Sequence, residues 1–172
     1  MAVTVGTDAS TVLDFAESVL EVRLPAVLAD INTEKGLSLT VPLRYRRSEL
    51  VHRDFVTPEV SLYVLSEEIP KIDGLSVYDM NMMFVARLSI AARGQIANTE
   101  KELFKSLCAY GHGIAHVLQR YLRDDSGKVV YMCHPRGFSP YAPELRDTAR
   151  SQWIQTIEIL MQAKYRLLMR EE

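Results

Sequence analysis

The segment "QWIQTIEILMQAKYRLLM", residues 152–169, restricts the fold of this chain more than any other. Trp153, Ile157, Ile159, Met161, Ala163, Tyr165, Leu167 and Met169 all occupy odd positions. Gln152, Thr156, Glu158, Gln162, Lys164 and Arg166 occupy even ones. That alternation is the period of a strand with one apolar and one polar face. Glu158, Gln162, Arg166 and Arg170 also form a stripe at helical spacing, but the aromatic and β-branched start of the segment favours a strand. Seventeen residues of strand would extend roughly 56 Å, against about five or six residues for an ordinary one. Such a strand is expected to bend, to bulge, or to pair with a neighbouring molecule. It also requires partners, so the rest of the chain has to supply a sheet.

Three upstream segments qualify. "LSLTVPLRYRR" has a strand composition, and Pro42 assigns it to an edge. "EVSLYVLSEEI" is a second candidate, buried on both faces. In "MFVARLSIAARG", Phe84, Ala86, Leu88, Ile90 and Ala92 share one face, with Arg87, Ser89 and Arg93 on the other. "KVVYMC" adds a short strand. Two helices separate these runs. Residues 11–31 carry Val12, Phe15, Ala16, Val19, Leu20 and Val27 at helical spacing, with Thr11 and Asp14 as a capping box and Pro25 ending the helix near Arg23. Thr99 and Glu102 cap a second helix whose pattern runs from Leu103 to Leu122. Residues 66–81 and 134–151 are polar or proline-rich, and extended loops or arms are expected there. The resulting expectation is a single α+β domain. It has a mostly antiparallel sheet, two main helices packed on one face, and a long C-terminal strand.

With 172 residues, 48% of them hydrophobic, the chain can bury a core. A net charge of −2 excludes a strongly basic nucleic-acid binder. Charged residues interrupt every apolar run, so no membrane span is expected, and "MAVTVGTDAS" lacks the pattern of a secretory signal. Two cysteines do not make a disulfide framework. The expectation is therefore a protein made in a reducing cytoplasm.

The one stretch that suggests metal chemistry is "KSLCAYGHGIAHVLQRYL". Cys108, His112 and His116 recur every four residues, with Cys133 and His134 farther on. A His-x-x-x-His pair on one helical face can hold zinc. On a helical wheel, however, His112 and His116 fall near about 180° and 220°, opposite Leu103, Leu107, Ile114 and Leu118. Lys105, Arg120 and Arg123 surround them, and those cations oppose a divalent ion. Gly113 stands where the metalloprotease motif needs Glu. The stronger assignment is a solvated basic face, with the apolar arc and Gly111 lying on the sheet. A metal-binding protein or small hydrolase using Cys108, His112 and His116 is kept as the alternative, with a protein-binding adaptor domain as a third possibility. Glu67, Glu68 and Asp73, and Ser66, Ser76 and Ser139, lack the context of acid–base or nucleophilic sites. No enzyme is expected, and no cofactor.

The order of elements resembles that of bacteriophage tail terminator proteins, which form rings that cap the tail tube next to the neck. The matching pieces are "TVLDFAESVLEVRLPAVLADI", the strands around "SLTVPLRY" and "MFVARLSIAARG", the helix "TEKELFKSLCAYGHGIAHVLQRYL", and "SQWIQTIEILMQAKYRL". This resemblance covers most of the chain but rests on element order rather than a short motif. It implies a structural virion subunit, made in the host cytoplasm and located in the tail or neck. The implied assembly is a homohexameric ring between a tail tube protein and a head-side connector or neck protein. Genome DNA would pass through such a ring without specific binding, and no membrane is involved. For the contact surface, the loop ends are the candidates: Arg46, Arg47 and Arg53, and the arm around Arg136, Phe138, Tyr141 and Leu145.

Overall fold

The computed structural model of the chain describes residues 3–5, 8–47, 57–68, 77–93, 96–123, 130–147 and 152–171. The period-two segment is one strand, β7 (Gln152–Glu171), of 20 residues. It needs no second molecule to satisfy its length. Along one edge, β4 (Val77–Arg93) pairs with it antiparallel and without a bulge, from Val77 opposite Leu168 to Arg93 opposite Gln152. The other edge is shared end to end by β6 (Glu144–Asp147), opposite residues 152–154, and β5 (Val130–Pro140), opposite residues 157–165. The last three residues pair with β1 (Val3–Val5). Beyond β4 lie β3 (Glu59–Glu68), antiparallel to it, and the short β2 (Arg44–Arg46), parallel to β3. The fold is α+β, with a seven-stranded, mostly antiparallel sheet.

Helix α1 (Ala9–Lys35) runs straight through the proline expected to end it. Leu20, Leu24 and Leu28 around Pro25 are essentially fully buried. Each contributes about 1.5–3 kcal/mol, which together exceeds the roughly 3 kcal/mol cost of an interior proline. The cap also differs from the expected Thr11–Asp14 box. Asp8 is the N-cap, and its Oδ1 accepts from Thr11 N at 2.8 Å and from Thr11 Oγ1 at 2.9 Å. Gly36 ends the helix in the left-handed conformation, φ 62°. Helix α2 (Ile96–Tyr121) starts before Thr99, so the expected capping box lies inside it. Its buried arc is the expected one: Leu103, Leu107, Gly111, Ile114 and Leu118. A Cβ at Gly111 would stand 3.0 Å from Ile157 Cδ1 on β7, and one at Gly113 would stand 3.2 Å from Ile31 Cδ1 on α1. The two glycines let α2 sit close to the sheet on one side and to α1 on the other.

The core is the layer between these helices and one sheet face. Val60 and Leu62 of β3, Met82, Phe84, Ala86 and Leu88 of β4, and Ile157, Ile159, Met161 and Ala163 of β7 contribute to it. Among the described residues, no helix covers the opposite face.

Three expectations need correction. "LSLTVPLRYRR" is strand only at Arg44–Arg46, because side chains take the earlier backbone groups. Asn32 bonds both N and O of Leu39, and Tyr110 Oη bonds both N and O of Thr40. Residues 66–81 are not simply a loop: 66–68 and 77–81 belong to β3 and β4 and pair with each other or with β7. Residues 134–147 are likewise mostly strand, since β5 continues through Pro140 and β6 follows, and residues 148–151 lie outside the described residues. β5 accepts Pro135 and Pro140 because it pairs on one side only, with register shifts at Val130–Met132 and Pro135–Gly137.

Candidate functional site

The contact candidates separate into two groups on opposite margins of the sheet. Arg46 and Arg47 lie at β2, beyond β3. Arg136, Phe138, Tyr141 and Leu145 lie along β5 and β6, on the far edge of β7. Arg53 lies outside the described residues. The two arginines at β2 are engaged within the molecule. Arg46 Nε is 3.2 Å from Glu59 Oε2, a pair close in distance but not aligned as a hydrogen bond. Arg47 pairs with Asp14 and, at 3.1 Å, with Glu17 on α1. On the other margin Arg136 donates from Nε to Gln162 Oε1 at 2.6 Å. Phe138, Tyr141 and Leu145 are exposed, and all three sit next to backbone that no described strand pairs on its outer side. Strand β3 is similar: from Leu62 to Glu68 its outer edge has no described partner, and Val64 and Leu65 are exposed there.

The histidines of α2 occupy its exposed side, as the wheel indicates. The His112 ring meets Phe138 edge-on, with centroids 5.3 Å apart and planes at 84°. Cys133 is buried on β5, and burial raises its thiol to about 12, so it holds its proton at neutral pH. Among the described residues no three His, Cys, Asp or Glu side chains gather as a metal site.

A polar constellation on the helix-free face escapes the sequence reading. Arg87 of β4 stands directly opposite Glu158 of β7. Glu158 Oε1 accepts from Arg87 Nε at 2.8 Å, from Arg87 Nη2 at 2.5 Å and from Tyr63 Oη at 2.8 Å. Its Oε2 accepts from Tyr141 Oη at 2.6 Å. Arg87 Nη2 also reaches Tyr63 Oη at 2.9 Å, and the guanidinium lies 4.9 Å from the Tyr63 ring centroid. Burial alone would raise the Glu158 carboxyl, but the bonds from Tyr141, Arg87 and Tyr63 outweigh it and hold it below its ordinary value. Burial likewise opposes the Arg87 charge, and the bond to Glu158 together with the attraction of Tyr63, Glu158 and Tyr141 more than compensates. A shallow cavity of about 240 Å³ opens beside them, lined also by Glu144 and Thr156. A carboxylate with both oxygens occupied by donors is suited to bracing three strands and the β5–β6 connection, not to removing a substrate proton. The polar faces of both strands were visible in the alternation. Which residue stands opposite which depends on register, and single-strand patterns do not carry that.

No protein-family model matches the chain, and no curated protein matches it.

Proposed function

We propose that this protein is a structural subunit of a phage virion, forming a ring that terminates the tail tube and joins it to the head-side neck. The observation that supports this most is the pair of open sheet margins. Among the described residues, the outer edge of β3 at residues 62–68 and that of β5 at residues 130–140 have no partner strand, and exposed apolar side chains lie at both. Exposed edges are templates for a further strand. Two different margins on opposite sides of one sheet would meet in a heterologous, head-to-tail contact, and such contacts form rings where the rotation between subunits closes. Of the candidate contact residues, Arg136, Phe138, Tyr141 and Leu145 lie along the β5–β6 margin and Arg46 and Arg47 at β2, beside the other margin, and the long β7 gives each subunit a continuous spine between them. In the tail, tube and connector proteins would then meet the ring on its two faces.

The test is light scattering with negative-stain imaging, of the protein alone and mixed with purified tail tubes. Closed rings are expected, and Leu65→Lys at the β3 edge should leave folded monomers. A wild-type protein that stays monomeric at every concentration, with and without tubes, would sink the proposal.

A further inference from the structure

A groove between α1 and α2 combines charge with apolar surface, away from both sheet margins. It encloses about 290 Å³ and is lined by Phe15, Val22, Arg23, Arg120, Tyr121 and Arg123 among others. The guanidinium carbons of Arg23 and Arg120 lie 5.1 Å and 5.4 Å from the Tyr121 ring centroid. Two cations from different helices thus share one aromatic ring. Among the described residues, no acid pairs with Arg23, Arg120 or Arg123. Of the acids of α1, Asp14 and Glu17 hold Arg47. Residues 103–123 contain no Asp or Glu at all. Asp124 and Asp125, next in sequence, lie outside the described residues. The carbonyl end of α2 accounts for Arg120 and Arg123. It does not account for Arg23, which comes from the middle of α1. Val22, beside it, is 68% exposed, an apolar side chain with little covering it.

We propose that this groove docks an acidic peptide segment of a partner protein, with an apolar side chain set between carboxylates. Stacking on Tyr121 occupies the flat faces of the guanidiniums and leaves their N–H edges free for two-pronged bonds to carboxylates. Val22 and Phe15 supply the apolar floor. Nucleic acid suits the groove less well. Tyr121 already carries two guanidiniums, which leaves Phe15 alone for a base to stack on, where single-strand binding uses a series of such rings. The end of α2 at the groove presents carbonyls, whereas phosphates are held by helix N-termini.

Fluorescence anisotropy with a labelled peptide of alternating glutamate and leucine tests this on the full chain. Binding should weaken as salt rises from about 50 to 200 mM. Arg23→Glu with Arg120→Glu should weaken it at least ~10-fold, which is about 1.4 kcal/mol. The same double variant should gain affinity for a lysine–leucine peptide, a reversal that an unfolded chain cannot produce. Arg23→Gln with Arg120→Gln, a milder change, should show the same loss for the glutamate peptide. The groove is separate from the ring contacts, so the Leu65→Lys protein should bind the peptide as wild type does, whether or not rings form. The proposal is overturned by equal binding of a glutamine–leucine peptide, or by binding indifferent to the arginine changes. It is also overturned if a DNA duplex binds more tightly and is lost in the same variants. Loss of self-association in those variants without any peptide binding would give the groove to a second copy and overturn it too.

Discussion

Replacing Glu158 by Leu tests how much the brace on the helix-free face contributes. Glu158 and Arg87 side chains are each 17% exposed, so the pair is mostly shielded but still touches water. The substitution removes the common acceptor of four hydrogen bonds, two from Arg87 and one each from Tyr63 and Tyr141. Breaking a fully buried pair from one side costs about 3–5 kcal/mol, and an exposed pair contributes about 0–1 kcal/mol. With this partial exposure, the expected loss is about 2–3 kcal/mol for Glu158→Leu and similar for Arg87→Met. Removing both together should cost less than the sum, because neither charge is then left in the sheet. A double variant within about 1 kcal/mol of wild type, and therefore a coupling of about 3 kcal/mol or more, are expected. Urea unfolding followed by circular dichroism and by the single Trp153 would measure all four proteins. In a chain of this length the single variants should lower Tm by roughly 2–4 °C per kcal/mol. Costs that simply add, within about 0.5 kcal/mol, would refute the claim that the pair acts as a unit.

The same carboxyl predicts an acid limb. Its folded pKa lies below the ordinary 4.5, so the stability it supplies is complete above that value and drains away as pH falls through the folded pKa. Glu158→Gln should flatten the loss of Tm below about pH 5, and an unchanged acid limb would count against the brace. Asp8 behaves alike as a cap held low by Thr11, and Asp8→Ala should cost about 1 kcal/mol in urea melts. Gly113→Val should destabilise by about 1–3 kcal/mol through its contacts with Ile31, Leu24 and Leu28; a stability gain would mean that α1 moves aside. His112→Ala with His116→Ala should leave the melting curve within about 1 kcal/mol of wild type, since both side chains are exposed.

Much of the architecture was legible because its strongest signals are local. The alternation of residues 152–169 was correctly a strand, and the buried arc of α2 was correctly placed with Gly111 against the sheet. The errors share a physical cause. Residues 66–68 are polar and exposed, and 134–140 carry two prolines, so neither looks like a strand by itself. They are strands because β4 and β7 extend past them and offer a ladder. Residues 37–43 failed in the opposite direction, with a strand composition in which the backbone of Leu39 and Thr40 bonds to the side chains of Asn32 and Tyr110. Pro25 was overruled by leucines whose burial only the tertiary structure reveals. The exposed Phe138, Tyr141 and Leu145 could be picked out as contact candidates from the proline-rich stretch. The Arg87–Glu158 brace could not, because it joins residues 71 apart in the chain.

The position of β7 in the sequence sets a timetable for synthesis. Four of the six other strands, β1, β4, β5 and β6, pair with it, yet it is translated after all of them. At about 5–20 residues per second, the ribosome needs roughly 4–16 s to go from the end of β4 to the end of β7. Throughout that interval the longest edge of the sheet, β4, waits without its partner, carrying Phe84, Leu88 and Ile90 on a face that the fold buries. The nascent chain therefore spends seconds as an unfinished sheet with a strand-accepting edge. Its yield in a cell should depend on what shields that edge until residue 152 and those after it leave the exit tunnel.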